Sequence, residues 1–410
     1  MIRLIKTYFK RQINEIANDQ ALRFYGACVA FCHVLTFFFW RAESLDYVLS
    51  NQAKPVCWPF LENCFVHRNF SLHQVDTVLL AFGFLAGVGV LLFLPRRWVK
   101  AAYFFQVGML IFKLLIFIWD FRMRMNQHYM LHFVILTYLF IPHKRANLQY
   151  LLVFFYVGAA FLKMNREWVT GAVFNPDYQP LFIPGNWIPA ACVYVIILEL
   201  IIIWGMLSRE KWIFWGTFFQ LGLFHVVSWP VVGFFYPLLM ISLLMIYPLA
   251  YFMPRGGEDS RLFAALFLFR QPFSTYVLGA FFFFLQFVPG FFPGDSRLTA
   301  EGRLFSLHMY DARPVCQGAL TLKYHDGTKE DLDIPALAKP RIRCDPLVYF
   351  SRAQWQCWKN RGDPRFDNLD YVMEARLTTE RNMRPLVDIK DFCGKDLHYH
   401  IFRSNEWIIK

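Results

Sequence analysis

Ionisable side chains inside long apolar stretches are the first place to look for chemistry. A charge held away from water is costly and is tolerated where it has a partner or a task. The apolar blocks of this chain contain few, and the candidates are Lys113, His128, His132, Lys163, Glu199 and His225. A lysine amine acts as a general base once it is uncharged, a state that desolvation favours. Lys163 therefore has two readings, a base or a side chain snorkelling to the membrane surface. His225 reads equally as a ligand or a satisfied core histidine. Glu199 reads as a counter-charge for a neighbouring helix, with mid-span Lys113 as its possible partner. His128 and His132 stand one helical turn apart and could share a metal, but no third and fourth ligand follows. His398 and His400 alternate on an apparent strand and offer only two ligands. We therefore expect no metal site.

Positioning these groups falls to helices. The chain has 410 residues, 57% of them hydrophobic, against about 45–50% in a soluble domain. The excess lies before residue 295. This predicts a polytopic α-helical membrane protein of about nine spans over residues 1–293, followed by a β-rich extramembrane domain over 294–410. The spans are expected at 21–40, 76–95, 98–119, 128–142, 147–164, 187–208, 212–228, 231–253 and 274–293, the fourth and seventh being short. Pro142, Pro184, Pro230, Pro254 and Pro293 fall at span ends, where proline costs least. No small-residue cleavage pattern follows the first apolar block, which is read as a retained helix.

Charge sets the expected orientation. Arg3, Lys6, Lys10 and Arg11 precede the first span, and alternate loops carry Arg96 and Arg97, Lys144 and Arg145, Arg209 and Lys211, then Arg255, Arg261 and Arg270. The basic side stays cytoplasmic, so the N-terminus is placed inside and the C-terminal domain outside: periplasmic, extracellular or lumenal. On this topology His128, Lys163 and His225 lie at one depth beneath the external domain. Cys57, Cys64, Cys316, Cys344, Cys357 and Cys393 all fall on the outer side, where disulfides belong, although free thiols are the alternative. Cys28, Cys32 and Cys192 lie within spans and read as packing residues. The +12 net charge is scattered over helix ends rather than gathered in a patch, so nucleic acid is not an expected partner; the lipid bilayer is.

In the C-terminal domain, Ala319–Tyr324 and Glu330–Ile334 alternate apolar and polar residues around the turn signal Asp326–Gly327, and Tyr371–Thr378 alternates again. There is no nucleophile elbow, phosphate loop or dinucleotide fingerprint. A transporter would show paired mid-membrane charges and inverted repeats, which are not evident.

The run Tyr156-Val-Gly-Ala-Ala-Phe-Leu-Lys163-Met-Asn-Arg-Glu-Trp168-Val-Thr-Gly171 resembles the vitamin K-dependent gamma-carboxylase family and its bacterial relatives. There an aromatic–glycine helix ends in Lys, with Trp five residues later and then Gly. Further similarities follow in order: Asn126-Gln127-His128, Phe224-His225 with Gly233-Phe234-Phe235-Tyr236, Phe305-Ser306-Leu-His-Met309, Tyr324-His-Asp326-Gly327, and Pro385-Leu386-Val387-Asp388. The likeness spans nearly the whole chain. It departs at Leu162, where the family often has a second Lys, and at Gln127, where the family has Asn. The long additional lumenal region of the animal enzymes has no counterpart.

The resemblance implies an enzyme that oxidises vitamin K hydroquinone with O₂ to the epoxide. The strong base formed removes a proton from a Glu side chain of a protein or peptide, to which CO₂ then adds. It implies Lys163 as the initiating base and His128 as the residue that orients and activates the site. Asn126, Gln127, Trp168, His225, Met309 and Tyr310 would surround the quinol and substrate. It also implies a disulfide between Cys57 and Cys357, tying the first outer loop to the C-terminal domain. Carboxylation could be replaced by another quinol-driven reaction, or the chain could be a membrane subunit or assembly factor that keeps only the fold.

Overall fold

Backbone held away from water satisfies its own hydrogen bonds most simply as a helix. The computed structural model, which describes residues 2–174, 182–208, 210–254, 271–304, 306–307, 313–332 and 344–410, is mainly helical. The helices are α1 (Ile2–Asn18), α2 (Gln20–Ala42), α3 (Leu45–Leu49), α4 (Leu72–Leu92), α5 (Val99–Phe117), α6 (Asn126–Phe140), α7 (Lys144–Lys163), α8 (Arg166–Val169), α9 (Ile188–Leu200), α10 (Lys211–Val232), α11 (Phe235–Leu244), α12 (Ile246–Phe252), α13 (Phe273–Phe287), α14 (Ser296–Thr299) and α15 (Pro346–Asn360).

Seven helical stretches among the described residues are long and apolar enough to cross a membrane: Gln20–Ala42, Leu72–Leu92, Arg96–Phe117, Lys144–Lys163, Gly185–Leu207, Phe235–Phe252 and Phe273–Phe291. The two short spans expected from sequence also form helices, but neither joins this set. α6 has 15 residues, about 22 Å at 1.5 Å each, less than a bilayer core. α10 is long enough at 22 residues, but Lys211, Gln220, His225 and Ser228 dilute its apolar character.

α7 runs through the centre of the bundle. Tyr150 to Ala160 are buried without interruption, as expected of a helix that is apolar all round. It packs against α6, α9, α12 and α13. Two glycines let α7 and α13 approach closely. A Cβ on Gly158 would stand 3.1 Å from the Phe282 ring, and one on Gly279 would stand 2.9 Å from the Phe154 ring. Each helix thus seats an aromatic ring over the other's glycine.

The C-terminal segment holds a four-stranded antiparallel sheet in the order β2-β1-β3-β4, with β1 (Val315–Tyr324), β2 (Lys329–Leu332), β3 (Phe366–Arg376) and β4 (Arg384–Ile389). The turn at Asp326–Gly327 joins β1 to β2, with Lys323 opposite Lys329. On β3 the buried residues Leu369, Tyr371, Met373 and Ala375 alternate, and α15 packs on the strand, its Tyr349 ring stacked on Tyr371 at 6.1 Å. This segment sits on the end of the bundle where α7 finishes. Cys57 N–H donates to Ser351 Oγ at 2.8 Å, Tyr129 Oη donates to Leu304 O at 2.8 Å, and Leu307 N–H donates to Gln286 Oε1 at 3.0 Å.

All six cysteines assigned to the outer side are oxidised, but the pairs are Cys57–Cys64, Cys316–Cys344 and Cys357–Cys393. The Cys57–Cys357 bond implied by the family resemblance is therefore not formed. Cys64 lies only seven residues beyond Cys57, with a Cα–Cα distance of 5.5 Å that suits a bridge. Cys357, in α15, meets Cys393 beside the sheet. The first loop still meets the C-terminal segment, through the Cys57–Ser351 hydrogen bond and a Phe65–Trp358 ring contact at 5.3 Å. Nearby, Asp120 receives Arg122 at 2.7 Å and Arg68 at 2.9 Å. Burial alone would raise the Asp120 carboxyl, but the two guanidiniums outweigh it and bring it to about 2.

Candidate functional site

The side chain of Lys163 is set by helix geometry. Cα–Cβ bonds in a helix tilt towards its N-terminus, so a lysine on the last turn of α7 points back into the bundle. Lys163 is 4% exposed and does not snorkel to the surface. Its Nζ lies 2.6 Å from both carboxylate oxygens of Glu199 on α9, which is 1% exposed. The chain then turns through Asn165, whose side chain accepts from Trp168 N–H at 2.9 Å and caps α8. Trp168 Nε1–H donates to Cys192 O of α9 at 2.9 Å, holding its ring 5.1 Å from Lys163 Nζ.

This assembly faces a cavity of about 510 Å³, within the usual range for a small-molecule site. Lys163, Glu199, Trp168, Asn126 and Gln127 line it, with an apolar wall that includes Phe39, Val195, Phe224 and Phe235. Its basic residues, besides Lys163, are Arg124, Arg297, Arg303 and Arg313, three of them from the C-terminal segment. Arg297 reaches Glu167 at 2.6 Å and Asp295 at 2.8 Å, and Arg124 approaches Asp345 at 3.6 Å.

The two histidines named from sequence do not line the cavity. The His128 ring lies behind the wall, 6.0 Å from Phe39 and 5.8 Å from Phe235, and its Nε2 faces the Trp40 indole N–H at 3.4 Å. His225 sits behind Phe224 and Tyr236, its Nε2 2.6 Å from Tyr156 Oη. Tyr156 is two turns before Lys163 on α7, so His225 is tied to the lysine's own helix. Met309 and Tyr310 lie outside the described residues.

Lys113 is the possible partner that the sequence offers for Glu199. The structure pairs it with Lys163 instead, because α9 packs on α7 and Lys163 points inward. The signal was present in part: Glu199 is the one acidic residue deep within an expected span, which marks it as a partner for a buried lysine without choosing between Lys113 and Lys163. Among the described residues no group of three or more His, Cys, Asp and Glu could hold a metal. His398 instead meets Glu62 at 3.0 Å and Asp396 at 3.1 Å.

Chemically, a buried ammonium–carboxylate pair beside an apolar chamber is a proton store. Passing one proton from Nζ to Glu199 leaves an amine and a neutral acid, and separates no charge in a medium where charge is costly. No family model matches the chain, and neither a curated protein nor a solved structure matches it.

Proposed function

We propose that the chain is an integral membrane enzyme resembling the gamma-glutamyl carboxylases, which oxidises a hydroquinone with O₂ to the epoxide and carboxylates Glu side chains of a protein or peptide with CO₂. The observation that carries this reading is the Lys163–Glu199 pair at the wall of an apolar cavity beneath a sheet-bearing segment. The cavity is large enough for a quinol ring, its walls suit a lipid-soluble molecule, and its one buried amine stands where a hydroxyl proton would be removed. A bound quinol with O₂ would supply the strong base that abstracts the γ-proton of the Glu side chain.

The chain's own residues then have these tasks. Glu199 takes a proton from Lys163, and the freed amine accepts the quinol hydroxyl proton. Trp168 screens the amine from water and favours its charged form once that proton has arrived. Asn126 and Gln127 offer amide hydrogen bonds to orient a ring oxygen. The arginines on the cavity's outer rim attract an anionic peptide. His225 and Tyr156 brace α7 against α10.

The same reading takes nine membrane crossings, an N-terminus in the cytoplasm and the C-terminal segment outside. Three disulfides at the cavity end support an oxidising compartment there. The test is direct. Purified protein is given vitamin K hydroquinone and air, and epoxide is followed by chromatography. Wild type should form it and a folded Lys163→Ala variant should not; then labelled CO₂ should enter Glu peptides. No epoxide from the wild type with several quinols would leave a scaffold that shares only the fold.

A further inference from the structure

The bundle carries a second set of polar groups that the cavity does not use. It lies on the mutually facing stripes of three helices. Lys113 and Gln106, two turns apart on α5, are both fully buried, as are His33 and Tyr25 on α2; His132 on α6 is 8% exposed. Gln106 Nε2 meets His33 Nε2 at 2.9 Å, which fixes α2 against α5. The Phe117 ring, one turn beyond Lys113, packs on His132 at 5.3 Å, which fixes α5 against α6. Lys113 lies within electrostatic range of both histidines, and Tyr25 within range of Cys32 on the turn that also carries His33.

Each of these five residues has a buried polar atom with no hydrogen-bond partner among the described residues: Lys113 Nζ, His33 Nδ1, Gln106 Oε1, His132 Nε2 and Tyr25 Oη. Leaving a buried polar atom unsatisfied is costly, so five on facing helices call for something to satisfy them. No carboxylate among the described residues pairs with Lys113, so a fixed counter-ion does not do so. Ordered water is suited to the task, since it can donate to one group and accept from the next.

The row has two ends. At one, His132 stands a turn from His128, whose ring backs onto Phe39 and Phe235 of the cavity wall. At the other, the Tyr25 ring is 6.2 Å from Tyr138, and the helix closes at Asp19, which meets Arg145 at 3.3 Å at the far end of the bundle. Groups that alternately donate and accept, joined by water, move protons by relay: each takes one proton on one side and releases one on the other, with no electron transferred and no group changed at the end.

We propose that Lys113, His33, Gln106, His132 and Tyr25 form a hydrated proton path through the membrane bundle, connecting the cavity with the opposite end of the helices. Lys113, held without a carboxylate partner among the described residues, is the relay on which passage depends. This stands on the row of buried groups alone and does not require the quinol reading.

The experiment uses the full-length chain in liposomes that enclose a pH-sensitive dye. A potassium gradient with valinomycin drives protons across the membrane. Wild type should acidify or alkalinise the lumen faster than protein-free vesicles, and Lys113→Met should slow this by about a hundredfold or more, the smaller end of what one positioned proton-transfer group contributes. Tyr25→Phe removes one hydroxyl without changing shape and should also slow it, so a Lys113→Met variant that fails to fold does not leave the matter open. Wild-type flux no greater than that of empty vesicles, or unchanged flux in folded Lys113→Met or in Tyr25→Phe, would overturn the proposal. Because the assay contains no quinol, its failure and the failure of epoxide formation are separate results.

Discussion

Lys163 Nζ touches both oxygens of Glu199 at 2.6 Å while both side chains are sealed from solvent. The lysine closing α7 and the glutamate near the end of α9 therefore form one proton-holding unit.

Breaking that unit on one side should be worse than removing it. A single Lys163→Met or Glu199→Gln change strands a polar or charged partner and is expected to cost about 3–5 kcal/mol, with the double variant much closer to wild type. Thermal unfolding of the four proteins in detergent checks this; additive losses would show that the two side chains act independently.

In the proposed reaction Glu199→Gln should lower the epoxidation kcat about 10²–10⁴-fold with a much smaller change in KM, because the amide cannot take the lysine's proton. Lys163→Arg should be inactive, since a guanidinium remains charged. An active Lys163→Arg protein would remove the lysine from the chemistry.

The disulfide pattern is open to direct chemistry. Non-reducing digestion and mass spectrometry should yield Cys57 linked to Cys64 and Cys357 linked to Cys393. Losing the Cys357–Cys393 bridge should cost about 2–4 kcal/mol, the usual range for such a cross-link. A Cys57–Cys357 peptide would contradict the architecture described above.

Asp120 gives a defined acid response. Its folded carboxyl is held at about 2, against an ordinary value of 3.8, because Arg122 and Arg68 overcome the effect of burial. The stabilisation is complete above the unfolded value and is lost as the pH falls from about 4 towards about 2, a change of order 2 kcal/mol. Unfolding temperatures over that range should fall less steeply in Asp120→Asn than in wild type.

Much of the fold is legible in the chain because burial leaves a mark on composition. The apolar blocks all became helices, and the Asp326–Gly327 turn sits between paired strands. What stayed hidden depends on direction rather than composition. The α15 helix gives a weak signal because one face is buried against the sheet while Trp358 and Lys359 on the other are exposed. Lys163 stands at a span end, where snorkelling is a reasonable reading; only the backward tilt of a helical side chain turns it inward. His128 and His225 stand close to the cavity, yet each is one ring behind its wall, because spacing along the chain does not record which way a side chain faces. Six cysteines allow fifteen pairings, so spacing alone cannot choose among them.

The reciprocal seating of Phe282 over Gly158 and of Phe154 over Gly279 has a reach beyond packing. α13 leads directly into the segment that roofs the cavity, while α7 ends in its lysine. Fixing one helix against the other therefore sets the clearance between roof and amine like a spacer. Side-chain volume at Gly279, well removed from any reacting atom, should govern which molecules fit the aperture: a slightly bulkier residue there would select for slimmer ones without altering a single group that lines the opening.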